Sequence, residues 1–155
     1  MKRFAIAGCI ASLLVIAVGL TFVLARGNRM NLEGIDCVVH PRVPVAPETS
    51  HEYKGGRIYF CCFGCPGVFD NDPSKFTTRA NRQLVATLQT RQHKCPLCGG
   101  DLEPKTTIVL TGARVVFCGA KCSQQVEKLK DEEEQLELVF GEEAFQRGEF
   151  RVGRK

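Results

Sequence analysis

Two sets of metal-type ligands recur along this chain at a nearly constant offset, and that recurrence constrains the fold more than anything else in the sequence. Cys37 and His40 precede Cys95 and Cys98 by 58 positions, while Cys61 and Cys65 precede Cys118 and Cys122 by 57. One module is therefore present twice, one residue out of register. Each copy has a ligand pair separated by two residues, then a stretch of strand and turn, then an aromatic residue and Cys-x-x-x-Cys. Compare Arg57-Ile58-Tyr59-Phe60-Cys61 with Arg114-Val115-Val116-Phe117-Cys118. A length of 155 residues leaves room for one ordinary domain or two very small ones and excludes large enzyme folds. Nine cysteines, no Trp and two Tyr point to a scaffold held by metal or disulfides rather than by a large core.

The ligand chemistry follows from the spacing. Cys95-Pro96-Leu97-Cys98-Gly99-Gly100 is a Cys-x-x-Cys turn followed by glycine, which presents two thiolates to one ion. Cys118 and Cys122 fall where a strand ends and a helix begins, so the i, i+4 relation puts both sulfurs on one side. Four thiolates then close a tetrahedral structural site. In the first copy imidazole replaces one thiolate, giving Cys37, His40, Cys61 and Cys65, a set zinc also accepts. The alternative for these residues is disulfides in an oxidising compartment; a redox Cys-x-x-Cys lacks a surrounding βαβ pattern. His40 as a surface histidine is the rival to His40 as a ligand. His51 and His93 have no ligand-like spacing partner and read as satisfied or exposed histidines. Cys62 is left over: neighbours in an extended segment point to opposite sides, so it should not share the Cys61 ion. It reads as a buried inert thiol, as an accessory soft-metal ligand for Cu(I) or a similar ion, or as a redox thiol.

Local signals place these ligands on hairpins and helices. Gly55-Gly56 turns before a strand at 57–60, and Thr111-Gly112 turns between strands at 106–110 and 114–117. A short helical turn carries Val68 and Phe69 and stops at Asp72-Pro73. Ser74 then caps a longer helix through Gln92, with Leu84, Val85 and Leu88 as its apolar stripe. That helix segment carries Lys75, Arg79, Arg82 and Arg91 without an acid, whereas 127–143 holds eight acids against Lys128 and Lys130. Solvated faces are one reading; docking of the two copies, or of a protein partner, is the other.

Residues 4–25 are 22 uncharged, mostly apolar residues, about 33 Å as a helix and long enough to cross a bilayer. A retained anchor is favoured over a cleaved signal, whose apolar region is usually shorter. Cys9 reads as a small apolar residue of the span. Amino terminus inside and body on the outer, periplasmic or extracytoplasmic, side is the orientation expected for this single-pass protein. The net charge of +4 belongs to this end: Lys2, Arg3, Arg26 and Arg29 face no acids within 1–30, leaving 17 charges of each sign beyond. A neutral body argues against nucleic acid as a partner.

The stretch from Asp36-Cys37 through Glu52-Tyr53-Lys54-Gly55-Gly56-Arg57-Ile58-Tyr59-Phe60-Cys61-Cys62-Phe63-Gly64-Cys65, then Phe69 and Asp72-Pro73-Ser74-Lys75-Phe76, resembles the YHS and TRASH domains. Residues 94–126 resemble a diverged second copy that keeps Phe117-Cys118 and Cys122 without the Asp-Pro stop. The resemblance implies a treble-clef-like zinc module associated with heavy-metal trafficking, resistance and sensing. His40 departs from the family's usual second cysteine.

The expected architecture is small α+β: two tandem treble-clef-like zinc modules, each a β-hairpin plus helix, behind an N-terminal transmembrane helix. Its segments are an anchor or signal at 1–27, a connector at 28–35, a YHS/TRASH-like module at 36–78, a connecting helix at 79–93, a second module at 94–140 and a polar tail at 141–155. The expected function is metal binding at the cell envelope, with two Zn2+ ions and Cu+ or another soft metal as further cargo. A zinc-stabilised interaction module on the membrane is the alternative, and a thiol-disulfide redox protein the third. No enzyme is expected, because both sites are closed by four protein ligands and no other catalytic constellation is present.

Overall fold

Each copy opens with a hairpin whose turn needs two successive left-handed residues, the backbone that matches the right-handed twist of paired strands. The computed structural model describes residues 30–153, so the apolar stretch 4–25 and Cys9 lie outside the described residues. Among the described residues no helix is long and apolar enough to cross a membrane. Strands β1 (Ala46–Tyr53) and β2 (Gly56–Phe60) pair antiparallel, with Tyr53 opposite Gly56 and His51 opposite Ile58. Their turn is Lys54-Gly55, with φ of 49° and 78°, one residue earlier than the Gly55-Gly56 turn expected. Gly56 is needed for a different reason: a Cβ there would meet Leu84 Cδ2 at 2.7 Å. Strands β4 (Thr107–Leu110) and β5 (Ala113–Val116) form the second hairpin around Thr111-Gly112, at 42° and 81°.

Helix α1 (Cys65–Asn71) follows the first hairpin. Its chain stops at Asp72, whose Oδ1 accepts from Ser74 Oγ at 2.6 Å and from Lys75 N at 3.4 Å. Asp72, rather than Ser74, thus starts the 3-10 turn Pro73–Phe76 and the helix α2 (Thr77–Ala86) behind it. The helix does not reach Gln92. Leu88 adopts φ 57°, and the amides of Leu88 and Gln89 donate back to Val85 O (2.9 Å) and Leu84 O (3.0 Å). This is a Schellman stop made with leucine instead of glycine, at a cost of about 1 kcal/mol or more. Leu84 and Val85 are buried as expected, but Leu88 is thrown out of the stripe and is 78 % exposed. A two-stranded pair of β3 (Thr90–Arg91) and β6 (Arg151–Val152) then ties the segment between the copies to the end of the chain.

In the second half, α3 (Ala120–Glu127), α4 (Glu132–Phe140) and α5 (Glu142–Arg147) follow the hairpin. Asp131 caps α4 by accepting from Glu133 N (2.8 Å) and Glu134 N (3.1 Å), and three glutamates occupy its first turn. The described chain is thus small α+β, built of short hairpins and helices. Leu32–Lys155 is one compact unit, and a single core runs through both copies: Val38, Ile58, Phe60 and Leu84 from the first half, Val115, Phe117, Val126, Val139 and Phe140 from the second.

Some of the opposite charges of the two halves meet inside the chain, and others stay exposed. Arg79 pairs with Glu133 at 2.9 Å, Lys54 pairs with Glu142, and Thr78 bonds Glu137. Arg82 is buried, donates to Thr111 O at 2.7 Å, and has its pKa lowered chiefly by that burial. Asn81 Nδ2 donates to Phe140 O at 2.9 Å. Docking of the copies, one of the two readings open from sequence, is what these contacts do.

The segment 141–155 is no polar tail as far as it is described. Phe145 and Phe150 are buried and stack at 4.9 Å, and β6 pairs with β3. Counting charged residues hid two well-spaced aromatics that close the core around Phe140. Phe150→Ala is expected to cost about 3–5 kcal/mol in urea unfolding, as for a buried aromatic. A loose tail would give a change within about 0.5 kcal/mol.

Candidate metal centres

The eight predicted ligands come together in two groups. Cys37, His40, Cys61 and Cys65 form one, Cys95, Cys98, Cys118 and Cys122 the other, and within each the ligand atoms all lie within 4.8 Å of one another. In the first, His40 Nδ1 is 3.6 Å from Cys61 Sγ and 3.3 Å from Cys65 Sγ, and the two sulfurs are 3.6 Å apart. In the second, Cys98 Sγ is 3.2 Å from Cys118 Sγ and 3.8 Å from Cys122 Sγ, with Cys118 and Cys122 at 3.5 Å. Four sulfurs about 2.3 Å from a tetrahedral ion stand about 3.8 Å apart, so these donors fit zinc with small adjustments. All eight described cysteines are free thiols. His51 pairs with Asp70 at 3.2 Å and His93 is exposed; neither enters a donor group.

Both groups have one burial pattern. The first and fourth ligands are buried, the second is exposed and the third is half-buried. The pattern follows from the local backbone. The first ligand leaves a tight knuckle: Cys95 accepts from Gly99 N at 2.8 Å and donates to Gly100 O at 2.9 Å, while Cys37 N donates to Val43 O at 2.8 Å and Cys37 Sγ accepts from His40 N at 3.4 Å. A Cβ on Gly100 would sit 3.2 Å from Cys118 Cβ and 3.4 Å from Cys98 Sγ, so the approach of the two ligand pairs relies on a bare backbone there. The third and fourth ligands lie four residues apart where each hairpin turns into a helix.

Two kinds of side-chain pin hold each ligand pair to the other. The Thr49 hydroxyl lies against Ala46 O (2.8 Å) and Phe60 O, and Thr106, 57 residues on, lies against Glu103 O (2.7 Å) and Phe117 O (2.7 Å). Each threonine thereby fixes the carbonyl just before the third ligand. The second pin is a glutamine amide. Gln83 Oε1 accepts from Tyr59 N at 2.6 Å, and its Nε2 donates to Tyr59 O (3.0 Å) and to Asp36 O (2.9 Å), the residue before Cys37. Gln92 does the same in the second copy: it accepts from Val116 N at 2.9 Å and donates to Val116 O (2.6 Å) and to Lys94 O (2.9 Å), the residue before Cys95. The stretch expected as a connecting helix at 79–93 therefore supplies one clamp to each centre. These residues carried no metal-ligand signal; the threonines share the repeat offset, and the glutamines do not.

Cys62 stays outside the first donor group, as expected, but for a different reason. The chain at 62–65 is not extended but turned, with Cys65 N donating to Cys62 O at 3.3 Å, so strand alternation does not govern the side chains. Cys62 is exposed rather than buried, and its Sγ lies 3.4 Å from Cys65 Sγ, although it stands outside the four-donor group. The bond from Cys65 lowers the Cys62 pKa, while burial raises those of Cys65, Cys61 and Cys122. In the second centre the bond from Cys118 lowers Cys98 to about 7 and leaves Cys118 raised. Crowded, desolvated thiols keep their protons until a cation replaces them.

No family model matches the chain, and no curated protein or solved structure matches it.

Two outcomes test the geometry. Gln83→Leu removes the Gln83 bonds to the Tyr59 amide and carbonyl and to the Asp36 carbonyl, at about 1 kcal/mol per hydrogen bond lost. Competitive titration with a chromogenic chelator should show weaker zinc binding at the first centre alone, and Gln92→Leu should weaken the second alone. For pH, each centre has two thiols with raised pKa values, Cys61 and Cys65 or Cys118 and Cys122. Metal-free protein holds those protons at neutral pH and loses them on binding, so affinity rises with pH and is lost as pH falls. Zinc titrations between pH 8 and 6 should weaken by at least about a hundredfold per unit, tenfold for each proton displaced.

Proposed function

We propose that this protein binds two metal ions, one per copy of its repeat, and handles zinc and softer thiophilic ions at a membrane surface. The observation that carries the reading is the double convergence of four cysteine or histidine donors within 4.8 Å. Two such groups can hold ions such as zinc, and the repeat of the ligand set at offsets of 58 and 57 argues that both are built for it. The YHS/TRASH resemblance, the treble-clef-like module it implies and heavy-metal trafficking or resistance at the envelope belong to this proposal, as does anchoring through 4–25 with the body outside. On this reading the chain is not an enzyme. The exposed second ligand of each group supports exchange with solvent-borne carriers, because one edge of the ion stays reachable. Cys62 adds an exposed thiol beside the first group, a feature that suits Cu(I) or another soft ion more than zinc.

A second reading is favoured by one observation: Cys37, Cys65, Cys95 and Cys122 are part of the core itself. Zinc would then act structurally, holding a surface for another membrane-associated protein. One set of measurements separates the two. Purified full-length chain should carry two zinc equivalents, and Cys37→Ser or Cys95→Ser should each remove one. Strong chelation should unfold the protein, since structural zinc contributes about 10–16 kcal/mol in small zinc peptides. Unchanged circular dichroism and melting without metal would sink both readings. Cu(I) titrated against a chromogenic chelator should bind at least about tenfold tighter, about 1.4 kcal/mol, to the parent than to Cys62→Ser. Equal binding would favour the structural role.

A further inference from the structure

Cys62 is the one described thiol that belongs to neither donor group. It is exposed, and a turn closed by the Cys65 amide brings its sulfur to 3.4 Å from that of Cys65, a buried donor of the first centre. Its sulfur is therefore not among the ligand atoms of either group, whereas the other seven are. A coordinated thiolate shares its electron pair with the cation and is a poorer nucleophile, so the uncommitted, accessible thiol is the one that meets an oxidant first. The repeat supplies its own control. At the offset of 57 that relates the third and fourth ligands, Cys62 corresponds to Gly119. The second centre thus has four donors and no fifth thiol.

Resting on the reading that Cys37, His40, Cys61 and Cys65 hold an ion, we propose that Cys62 and Cys65 form an oxidisable dithiol whose substrate class is small hydroperoxides. Its oxidation unloads the first centre and spares the second. The Cys62 sulfur attacks the terminal oxygen of the hydroperoxide; an S–O bond forms, the O–O bond breaks, and the other oxygen takes the thiol proton and leaves as water from hydrogen peroxide or as the alcohol from an organic hydroperoxide. The Cys65 thiolate then attacks the sulfenic sulfur, forming the S–S bond and expelling hydroxide. Two thiol sulfurs lose two electrons in all, and the peroxide gains them. The sulfurs need only close from 3.4 Å to about 2.0 Å. A disulfide sulfur is a poor zinc ligand, so the ion keeps only Cys37, His40 and Cys61 and is released. The metal site doubles as a site of reversible covalent modification.

The test uses zinc-loaded full-length protein exposed to a few equivalents of hydrogen peroxide. Released Zn(II) is read with a chromogenic chelator, and disulfides are mapped by peptide mass spectrometry. The expected result is release of one of two zinc equivalents with a Cys62–Cys65 bridge, reversed by dithiothreitol and added zinc. Cys62→Ser should hold both equivalents over the same exposure. Gly119→Cys, at a position where a Cβ meets nothing within 4 Å, should make the second zinc releasable too. Equal release from the parent and Cys62→Ser, loss of both ions from the parent at one rate, or a Gly119→Cys protein that still gives up one zinc would overturn the assignment. Should the parent carry no zinc before oxidation, the metal reading fails by itself, and the mapping still decides the dithiol. A Cys62–Cys65 bridge in that protein supports it, and a bridge between other cysteines overturns it.

Discussion

Four polarisable donors held within 4.8 Å of one another are an unfavourable arrangement unless something positive sits among them. Two of the four are walled in by core side chains in each centre, and burial raises the thiols of Cys65 and Cys122. Protonated, these sulfurs crowd one another; ionised, they repel in a poorly solvated place. A divalent cation removes both difficulties at once. The fold around each centre reads as a device for keeping four donors at that spacing. The hairpin delivers the third ligand, the helix start the fourth, the knuckle the first and second, and the threonine and glutamine pins hold the pieces together.

The pins also explain why a chain with two copies of a module behaves as one unit. Both glutamine clamps come from the segment between the copies: Gln83 from α2, Gln92 from just after β3. Gln89, between them, accepts from Arg57 N at 2.7 Å and donates to Arg57 O at 2.6 Å, so the same segment grips β2 at a further residue. Helix α2 is thereby fixed against the first hairpin. Its cationic face meets the acidic α4, and Asn81 and Arg82 bond Phe140 O and Thr111 O in the second half. Exposed ion pairs of this kind are each worth little, whereas the buried hydrogen bonds to main-chain carbonyls set the orientation.

The copies are unequal where the chemistry is most exposed. His40 stands where the second copy has Cys98, and Cys62 stands where it has Gly119. The second group is made of four cysteines. The first has histidine in place of one of them and a further thiol, Cys62, at 3.4 Å from Cys65. An imidazole in place of a thiol changes the donor set from four sulfurs to three sulfurs and a nitrogen, and Cys62 leaves an exposed sulfur beside it. The two donor groups thus differ in composition at one ligand position and in their surroundings at one neighbouring position.

The grouping of the eight ligands was legible in the chain because metal ligation depends on residue type and short spacing, and the repeat at 58 and 57 exposed both. The hairpins were legible for a similar reason: glycine beside β-branched and aromatic runs is a local signal, even though the first turn fell on Lys54-Gly55. What lay beyond it were decisions made at a distance. Helix α2 ends at Ala86 because Leu88 turns left-handed and Gln89 is held by β2, a contact 32 residues away. The glutamine clamps are nine residues apart and so invisible to a repeat whose period is near 57, whereas Thr49 and Thr106 share that period. Phe145 and Phe150 looked like parts of a charged tail until packing against Phe140 gave them a core to fill. Cys62 stays outside the donor group as expected but not through side-chain alternation, which holds only in extended chain; the bond from Cys65 N to Cys62 O bends that segment into a turn. Local chemistry determined which residues could bind an ion; tertiary packing alone decided how deeply each is buried, what clamps it and which thiol stays outside the groups, because those depend on contacts that no short window of sequence contains.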